Sequence, residues 1–297
     1  MSEQGAVIPF RERKPQWLKV KAPGGTNYRR LQALMRKQGL HTVCEEANCP
    51  NIGECWERGT ATFMILGDIC TRRCGFCNVQ SGVPEVLDRA EPFRVAHAVK
   101  EMQLRHCVVT SVDRDDLPDG GAGVFADTIR AIRRSAPGCA VEVLTPDFRG
   151  QEMPLARVVE ARPDVFNHNV ETVPRLYPLA RRGSDFQRSC RVLHNAKQMD
   201  PRVITKSGLM VGLGETKAEM VEAFSVLREH AVQVLTVGQY LRPSEDHLPV
   251  ARYWHPDEFA ELEREAYALG FESVASGPLV RSSYHADEQV PLRPVTP

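Results

Sequence analysis

The chain has 297 residues, and its 38 basic and 38 acidic side chains cancel to a formal net charge of zero. Neutrality gives no reason to expect a nucleic-acid partner, whose usual footprint is a basic face. At 42% hydrophobic and 26% charged, the chain is neither disordered nor membranous, and its length suits one large α/β domain or two medium ones. The N-terminus carries neither an apolar signal core nor an acid-free transit segment, and no run approaches a membrane span, so the expected location is cytoplasmic, with no membrane partner. An extension over residues 1–60 is predicted to hold one helix, Tyr28–Gln38. Apolar, β-branched runs bounded by Gly, Pro and Asp then recur at Thr62–Gly67, Cys107–Val112, Ala140–Thr145, Asp164–Asn169, Val203–Met210 and Val232–Val237. Amphipathic stretches lie between them at Pro92–Gln103, Val124–Arg134, Phe186–Met199 and Lys217–His230. Six such alternations predict a parallel sheet with helices outside it. The expected fold is α/β, a partial (β/α)6 barrel over residues 61–275, with active residues at the C-terminal ends of its strands. A helix over Pro256–Leu269, the segment Phe271–Ser276 and a tail over 276–297 complete the chain.

Nine cysteines are an odd number and not a disulfide framework in a reducing compartment. Cys107, Cys139 and Cys190 sit in apolar or mixed surroundings and are read as small core residues. The other six form two triplets, Cys44-x4-Cys49-x5-Cys55 and Cys70-x3-Cys74-x2-Cys77. Zinc is the plain alternative, but structural zinc takes four closed ligands. Neither triplet has a fourth Cys, and His41 stands at a poor chelating spacing from Cys44. Three thiolates suit a cubic iron–sulfur cluster, one iron per Cys, with the fourth iron open to another ligand. The second triplet, with Phe76 inside it, has the spacing of the radical S-adenosylmethionine (SAM) superfamily, which the chain resembles. That resemblance implies a 4Fe–4S cluster whose open iron chelates SAM. It also implies one-electron cleavage of SAM to a hydrogen-abstracting 5′-deoxyadenosyl radical. No side chain of the acid–base repertoire does this; the cofactor carries the chemistry.

The first triplet narrows the resemblance to the lipoyl synthase family, and it covers nearly the whole chain. The motifs that carry it include Arg13-Lys-Pro-Gln-Trp-Leu-Lys19, Cys44-Glu-Glu-Ala-Asn-Cys-Pro-Asn-Ile-Gly-Glu-Cys55 and Thr62-Phe-Met-Ile-Leu-Gly-Asp68. Asn167-His-Asn-Val-Glu171, Lys206-Ser-Gly-Leu-Met-Val-Gly-Leu-Gly-Glu215 and Gly277-Pro-Leu-Val-Arg-Ser-Ser-Tyr284 match as well. What the resemblance implies is a radical SAM transferase placing sulfur at C6 and C8 of an octanoyl chain on a carrier lysine, the last step of lipoyl cofactor biosynthesis. It implies two 4Fe–4S clusters. One, on Cys70, Cys74 and Cys77, works with SAM. An auxiliary one, on Cys44, Cys49 and Cys55 with Ser283 as oxygen ligand, supplies sulfur, and Arg281 favours the anionic form of Ser283. The implied partners are octanoylated carrier domains (dehydrogenase E2 subunits and the glycine cleavage H protein), a flavodoxin or ferredoxin reductant, and an iron–sulfur carrier that rebuilds the spent cluster. Biotin synthase, another sulfur inserter, lacks the first triplet and the Arg-Ser-Ser-Tyr tail. A non-catalytic scaffold leaves the βα units and their polar strand ends without a role.

Further candidates for SAM or substrate contact sit near predicted strand ends. They are Phe76; Asp113 with Gly120 and Gly121; Asn167 and Asn169; and Lys206 with Ser207. Their plain alternatives are a solvated Pro-Asp-Gly-Gly turn and satisfied core polar groups. The acyl pocket is expected to be apolar, with few charges.

Overall fold

The computed structural model describes residues 8–290 except 11, 21 and 59. In the extension, α1 (Thr26–Gln38) ends where Gly39 turns left-handed at φ 57° and its N–H caps the last carbonyls. A short strand β1 (His41–Thr42) leads into α2 (Val43–Glu46), which the Thr42 hydroxyl caps by accepting from Glu45 N. Next comes α3 (Ile52–Glu57). The first triplet is therefore held by two short helices and their connection.

The barrel follows in the order β2 (Thr62–Ile65), β3 (Ile69–Cys70), β4 (Gln80–Ser81), α4 (Glu91–Glu101), β5 (His106–Ser111), α5 (Ala122–Ser135) and β6 (Ala140–Leu144). It continues through α6 (Glu152–Glu160), β7 (Val165–Asn167), α7 (Tyr177–Ala180), α8 (Phe186–Met199), β8 (Ile204–Val211), α9 (Lys217–Glu229) and β9 (Val234–Gln239). It ends with α10 (Pro256–Ala268), β10 (Ser273–Gly277) and α11 (Ala286–Gln289). The sheet order is β1-β2-β5-β6-β7-β8-β9-β10, parallel throughout except for β1, which pairs antiparallel on β2. Among the described residues its two edges do not pair, so the barrel is open on one side. The six expected strands are present. The segment Phe271–Ser276 supplies a seventh parallel strand, β10, whose pairing on β9 continues to Gly277, across the expected boundary at 275.

Strands covered on both faces read as continuous apolar runs. All six residues of β9 are buried, and five of six in β5. The helices start on strong signals: Asp185 caps α8, Thr216 and Glu219 form a capping box on α9, and Pro256 opens α10. Cys107, Cys139 and Cys190 are buried, at 1%, 2% and 0% exposure. Inside the barrel, Glu142 of β6, Lys206 of β8 and Asn167 of β7 are fully buried together. Closer to the strand starts, Val165, Ile204 and Val234 pack against Val290 of the tail.

Candidate functional site

The second triplet stands on the loop after β2, which the β3–β4 ribbon pins at its base. Buried Arg72 ties this loop to the ends of two neighbouring strands. Its guanidinium lies 2.7 Å from Asp115, 2.7 Å from Asp147 and 3.5 Å from Asp113. Asp147 also takes Arg188 at 2.8 Å, and Arg72 above all holds its carboxyl below the usual range despite burial. The amides of Arg72 and Asp113 point at Cys70 Sγ, at 3.4 and 3.3 Å. Gly75 N donates to Ala180 O, Leu248 N donates to Gly75 O, and His247 Nε2 lies 2.9 Å from Cys77 O. Burial pushes the thiol of Cys74 up to about 12 and that of Cys77 to about 11. Arg181 opposes the shift at Cys74.

In the first triplet burial dominates again. The Cys44 thiol is pushed up to about 12, with Cys49 and Cys55 adding to the shift, and Cys55 to about 11. The three thiols therefore lie within electrostatic reach of one another. Arg281 of the tail lies near both Cys49 and Glu171.

One cavity of about 900 Å³ joins the two regions. Its wall includes Cys44, Cys49 and Cys55 on one side, Phe76 and Cys77 on another, and Arg281, Ser282 and Ser283 of the tail. Among the described residues neither serine hydroxyl has a hydrogen-bond partner. The wall is not the apolar lining the sequence led us to expect. It carries Glu171, Arg105 and Arg242 of the barrel, Arg30 and Arg58 of the extension and Arg281 of the tail.

The other expected contacts divide. Asn169 and Phe76 face the cavity, and the Asn169 Oδ1 and Asp113 Oδ1 atoms are buried without hydrogen-bond partners. Asp113 stands next to Cys70, with Oδ2 3.9 Å from Sγ. Asn167 and Lys206 do not line the cavity; both turn to Glu142, each at 2.9 Å. Ser207 donates to His168 O and accepts from Val170 N, both backbone groups. Gly120 and Gly121 adopt φ 57° and 86° and shape the start of α5, where a side chain at 121 would strike Leu66. Sequence reasoning missed Arg72, Arg181 and Glu171. Glu171 ends the quoted Asn-His-Asn-Val-Glu motif and was the one that could have been found.

The donor chemistry fits iron–sulfur clusters. Six free thiols stand in two groups, four of them (Cys44, Cys49, Cys55 and Cys77) line a shared cavity, and backbone amides aim at Cys70 Sγ as they do at anionic sulfur. Among the described residues no three His, Cys, Asp or Glu side chains converge on a single-ion position. The Asn169 Oδ1 atom, which has no hydrogen-bond partner, is an acceptor of the kind a ligand with amine and hydroxyl groups would meet, and Asp113 Oδ1 makes no hydrogen bond beyond its ion pair with Arg72.

Residues 64–227 match the radical SAM superfamily. The chain is a radical SAM enzyme, a class that uses a 4Fe–4S cluster and SAM. Residues 5–49 match the N-terminal domain of lipoyl synthase. A lipoyl synthase of Rubrobacter xylanophilus is 61% identical over 287 residues, covering 95% of this chain and 89% of that protein. One of Pseudomonas fluorescens (strain SBW25) is 56% identical over 289 residues, covering 96% and 85%. The chain belongs to the lipoyl synthase family, sulfur-inserting radical SAM enzymes that act on lipoyl carrier proteins. Among solved structures, methylornithine synthase (PylB) superposes with a TM-score of 0.57 over 72% of this chain and 63% of its own, at 14% identity, a likeness of fold. Among the described residues no helix is long and apolar enough to cross a membrane.

Proposed function

We propose that the two triplets hold two 4Fe–4S clusters facing one substrate cavity, and that the enzyme sulfurates C6 and C8 of an octanoyl chain carried on a lysine. The observation that carries this reading is the shared wall: residues of both triplets and Ser283 line the same cavity. Cys70, Cys74 and Cys77 hold the cluster that works with SAM; Cys44, Cys49, Cys55 and Ser283 hold the auxiliary one. When bound, these groups supply one-electron cleavage of SAM, hydrogen abstraction and the sulfur itself. The chain's own residues do the rest. Arg72 fixes the Cys70 loop through Asp113, Asp115 and Asp147, so that the thiols stay in place when the cavity fills. Phe76, Asn169 and Asp113 contact SAM. Arg281, buried near Cys49 and Glu171, offsets the negative charge of the thiolates and favours Ser283 as an anion. Gly120, Gly121, Asn167, Lys206 and Ser207 support the strand ends from behind.

The substrates in this reading are octanoylated E2 subunits and the glycine cleavage H protein, in the cytoplasm. A flavodoxin or ferredoxin supplies electrons, and an iron–sulfur carrier restores the auxiliary cluster. The test is an anaerobic reaction with reductant, SAM and an octanoyl-lysine peptide, reading 5′-deoxyadenosine and product mass together. Two sulfur atoms gained per peptide are expected. Equal turnover of free octanoate, which presents a carboxylate in place of the amide, would contradict a carrier-bound substrate.

A further inference from the structure

The tail leaves β10 at Gly277, directly opposite Gly238 of β9. A side chain at 238 would collide with the Val280 carbonyl oxygen and come within 3.0 Å of Arg281 Nη1. The bare backbone of Gly238 is thus a shelf on which the tail crosses the barrel mouth. From there the tail runs down the open side of the barrel, and Val290 packs beside Val165 and Val234 near the strand starts.

On the way it is tied at three levels to one face of the helix that carries Cys55. Asn51 Nδ2 donates to Leu279 O at 2.7 Å. The Tyr284 hydroxyl donates to the Glu54 carboxylate at 3.1 Å, and His285 Nε2 lies 2.9 Å from the same carboxylate. Arg58 Nη2 lies 2.6 Å from Glu288 Oε1. Positions 51, 54 and 58 are spaced i, i+3, i+7 and share one helical face. Ser283 falls between the fixed points at 279 and 284. Its position relative to Cys55 is therefore set by contacts made by its neighbours.

We propose that Asn51, Glu54, Arg58 and Gly238 are positioning residues that set the register of the tail against α3 and so deliver Ser283 to the first triplet. The inference rests on the reading of Ser283 as serving that triplet. The three ties along α3 meet tail residues 279, 284–285 and 288, so a slip of one residue breaks all of them together. Salt bridges at an exposed surface contribute little by themselves; here they specify register.

The experiment compares the reconstituted enzyme with its Glu54→Ala, Glu54→Gln, Gly238→Ala and Ser283→Ala variants. It reads hydrogen–deuterium exchange over 279–290, bound iron, and the ratio of sulfurated peptide to 5′-deoxyadenosine. Glu54→Ala and Gly238→Ala should raise exchange in the tail by about tenfold and lower the ratio by a similar factor while SAM cleavage continues. Glu54→Gln, which keeps an oxygen acceptor for Tyr284, should restore most of both. Unchanged exchange in Glu54→Ala and Gly238→Ala overturns the proposal. So does faster exchange with an unchanged ratio, because the tail would then only seal the surface. Ser283→Ala separates the two levels of inference: it should keep wild-type exchange, and full sulfuration by it would remove Ser283 from the reaction whatever the tail does.

Discussion

Lys206 Nζ lies 2.9 Å from Glu142 Oε1, and both side chains are fully buried inside the barrel. His106 Nε2 approaches the other carboxylate oxygen at 3.3 Å, and Asn167 Nδ2 donates to Oε1 at 2.9 Å. Burial alone would push the Glu142 carboxyl up; Lys206 and His106 outweigh it and hold the group at about 2. Lys206→Met removes the cation and leaves a buried, underpaired carboxylate, which should cost about 3–5 kcal/mol. Changing Glu142→Leu in the same chain should recover most of the loss, because it removes the stranded charge. Urea midpoints of the three chains test this, and a Lys206→Met midpoint equal to wild type would show that the pair carries no weight.

The same pair sets an acid limit. A carboxyl depressed in the folded state adds stability above its unfolded value, and that stability is lost as pH falls through its folded value. The contribution of Glu142 should be complete above about pH 5 and fade between about pH 4.5 and pH 2. Lys206→Met should flatten this part of the stability–pH curve. A curve of the same shape in both proteins would assign acid unfolding to other carboxylates.

How much of this was legible differs by level. The strands Ala140–Leu144 and Val234–Gln239 stand within a few residues of their expected places, because doubly covered strands are apolar throughout. The helix Phe186–Met199 matches at both ends. By contrast, β10 reads Ser-Val-Ala-Ser-Gly; only Val274 is buried, so this edge strand lacks the apolar signal. Helix α6 carries Pro154 in its first turn, where proline is harmless but obscures the pattern. The cysteine triplets could be read because cluster chemistry dictates ligand spacing. The depth of Asn167 and Lys206 could not. Strand alternation tells which side chains point inward, but barrel tilt and stagger decide whether an inward residue meets the cavity or the packed layer below it.

Arg72 should be worth more to the enzyme than a lysine could replace. Its guanidinium reaches Asp115 through two nitrogens, at 2.7 and 2.8 Å, and Asp147 at 2.7 Å. An ammonium cannot reproduce that fork. Arg72→Lys should weaken iron retention at the second triplet by about ten- to a hundredfold, the usual cost of losing a group that orients ligands. Iron lost to a chelator over time, followed in the Cys49→Ala background so that only the second triplet is read, measures it. Wild-type retention would mean that the β3–β4 ribbon alone fixes the loop.

The thiols give an alkaline counterpart to the acid limit. Burial raises all six triplet cysteines above their ordinary value of 9.0. At neutral pH the metal-free chain holds them protonated, so iron must displace protons to bind. Groups raised in the folded state lend stability below the unfolded value and lose it as pH climbs through the folded one. The metal-free protein should weaken from about pH 9 upward, while cluster loading should become more favourable between pH 7 and 8.5 by mass action on the protons released. Loading with the same yield at both values would show that the thiols are already ionised.

The two triplets should separate by mutation. Cys74→Ala leaves two thiols where a cluster needs three, in a loop that Arg72 and the ribbon still hold, so the barrel should fold and SAM cleavage should vanish. Cys49→Ala spares that loop and should still give 5′-deoxyadenosine, but no carbon–sulfur bond. Ser283→Cys refines the division. A hydroxyl oxygen is a harder donor than a thiolate and a poorer match to iron in a sulfide cluster, so under the proposed ligation Ser283 would provide the corner that lets go most easily. Placing sulfur there should raise iron retention at the first triplet and yet lower sulfuration, because the corner no longer opens. Stability and turnover should move in opposite directions, which simple damage to the tail would not produce, since damage lowers both. Iron content, 5′-deoxyadenosine and peptide mass measured on one preparation decide it. Wild-type sulfuration by Ser283→Cys would mean that release at this corner does not limit the reaction, and Ser282, on the same wall, would be the next residue to change.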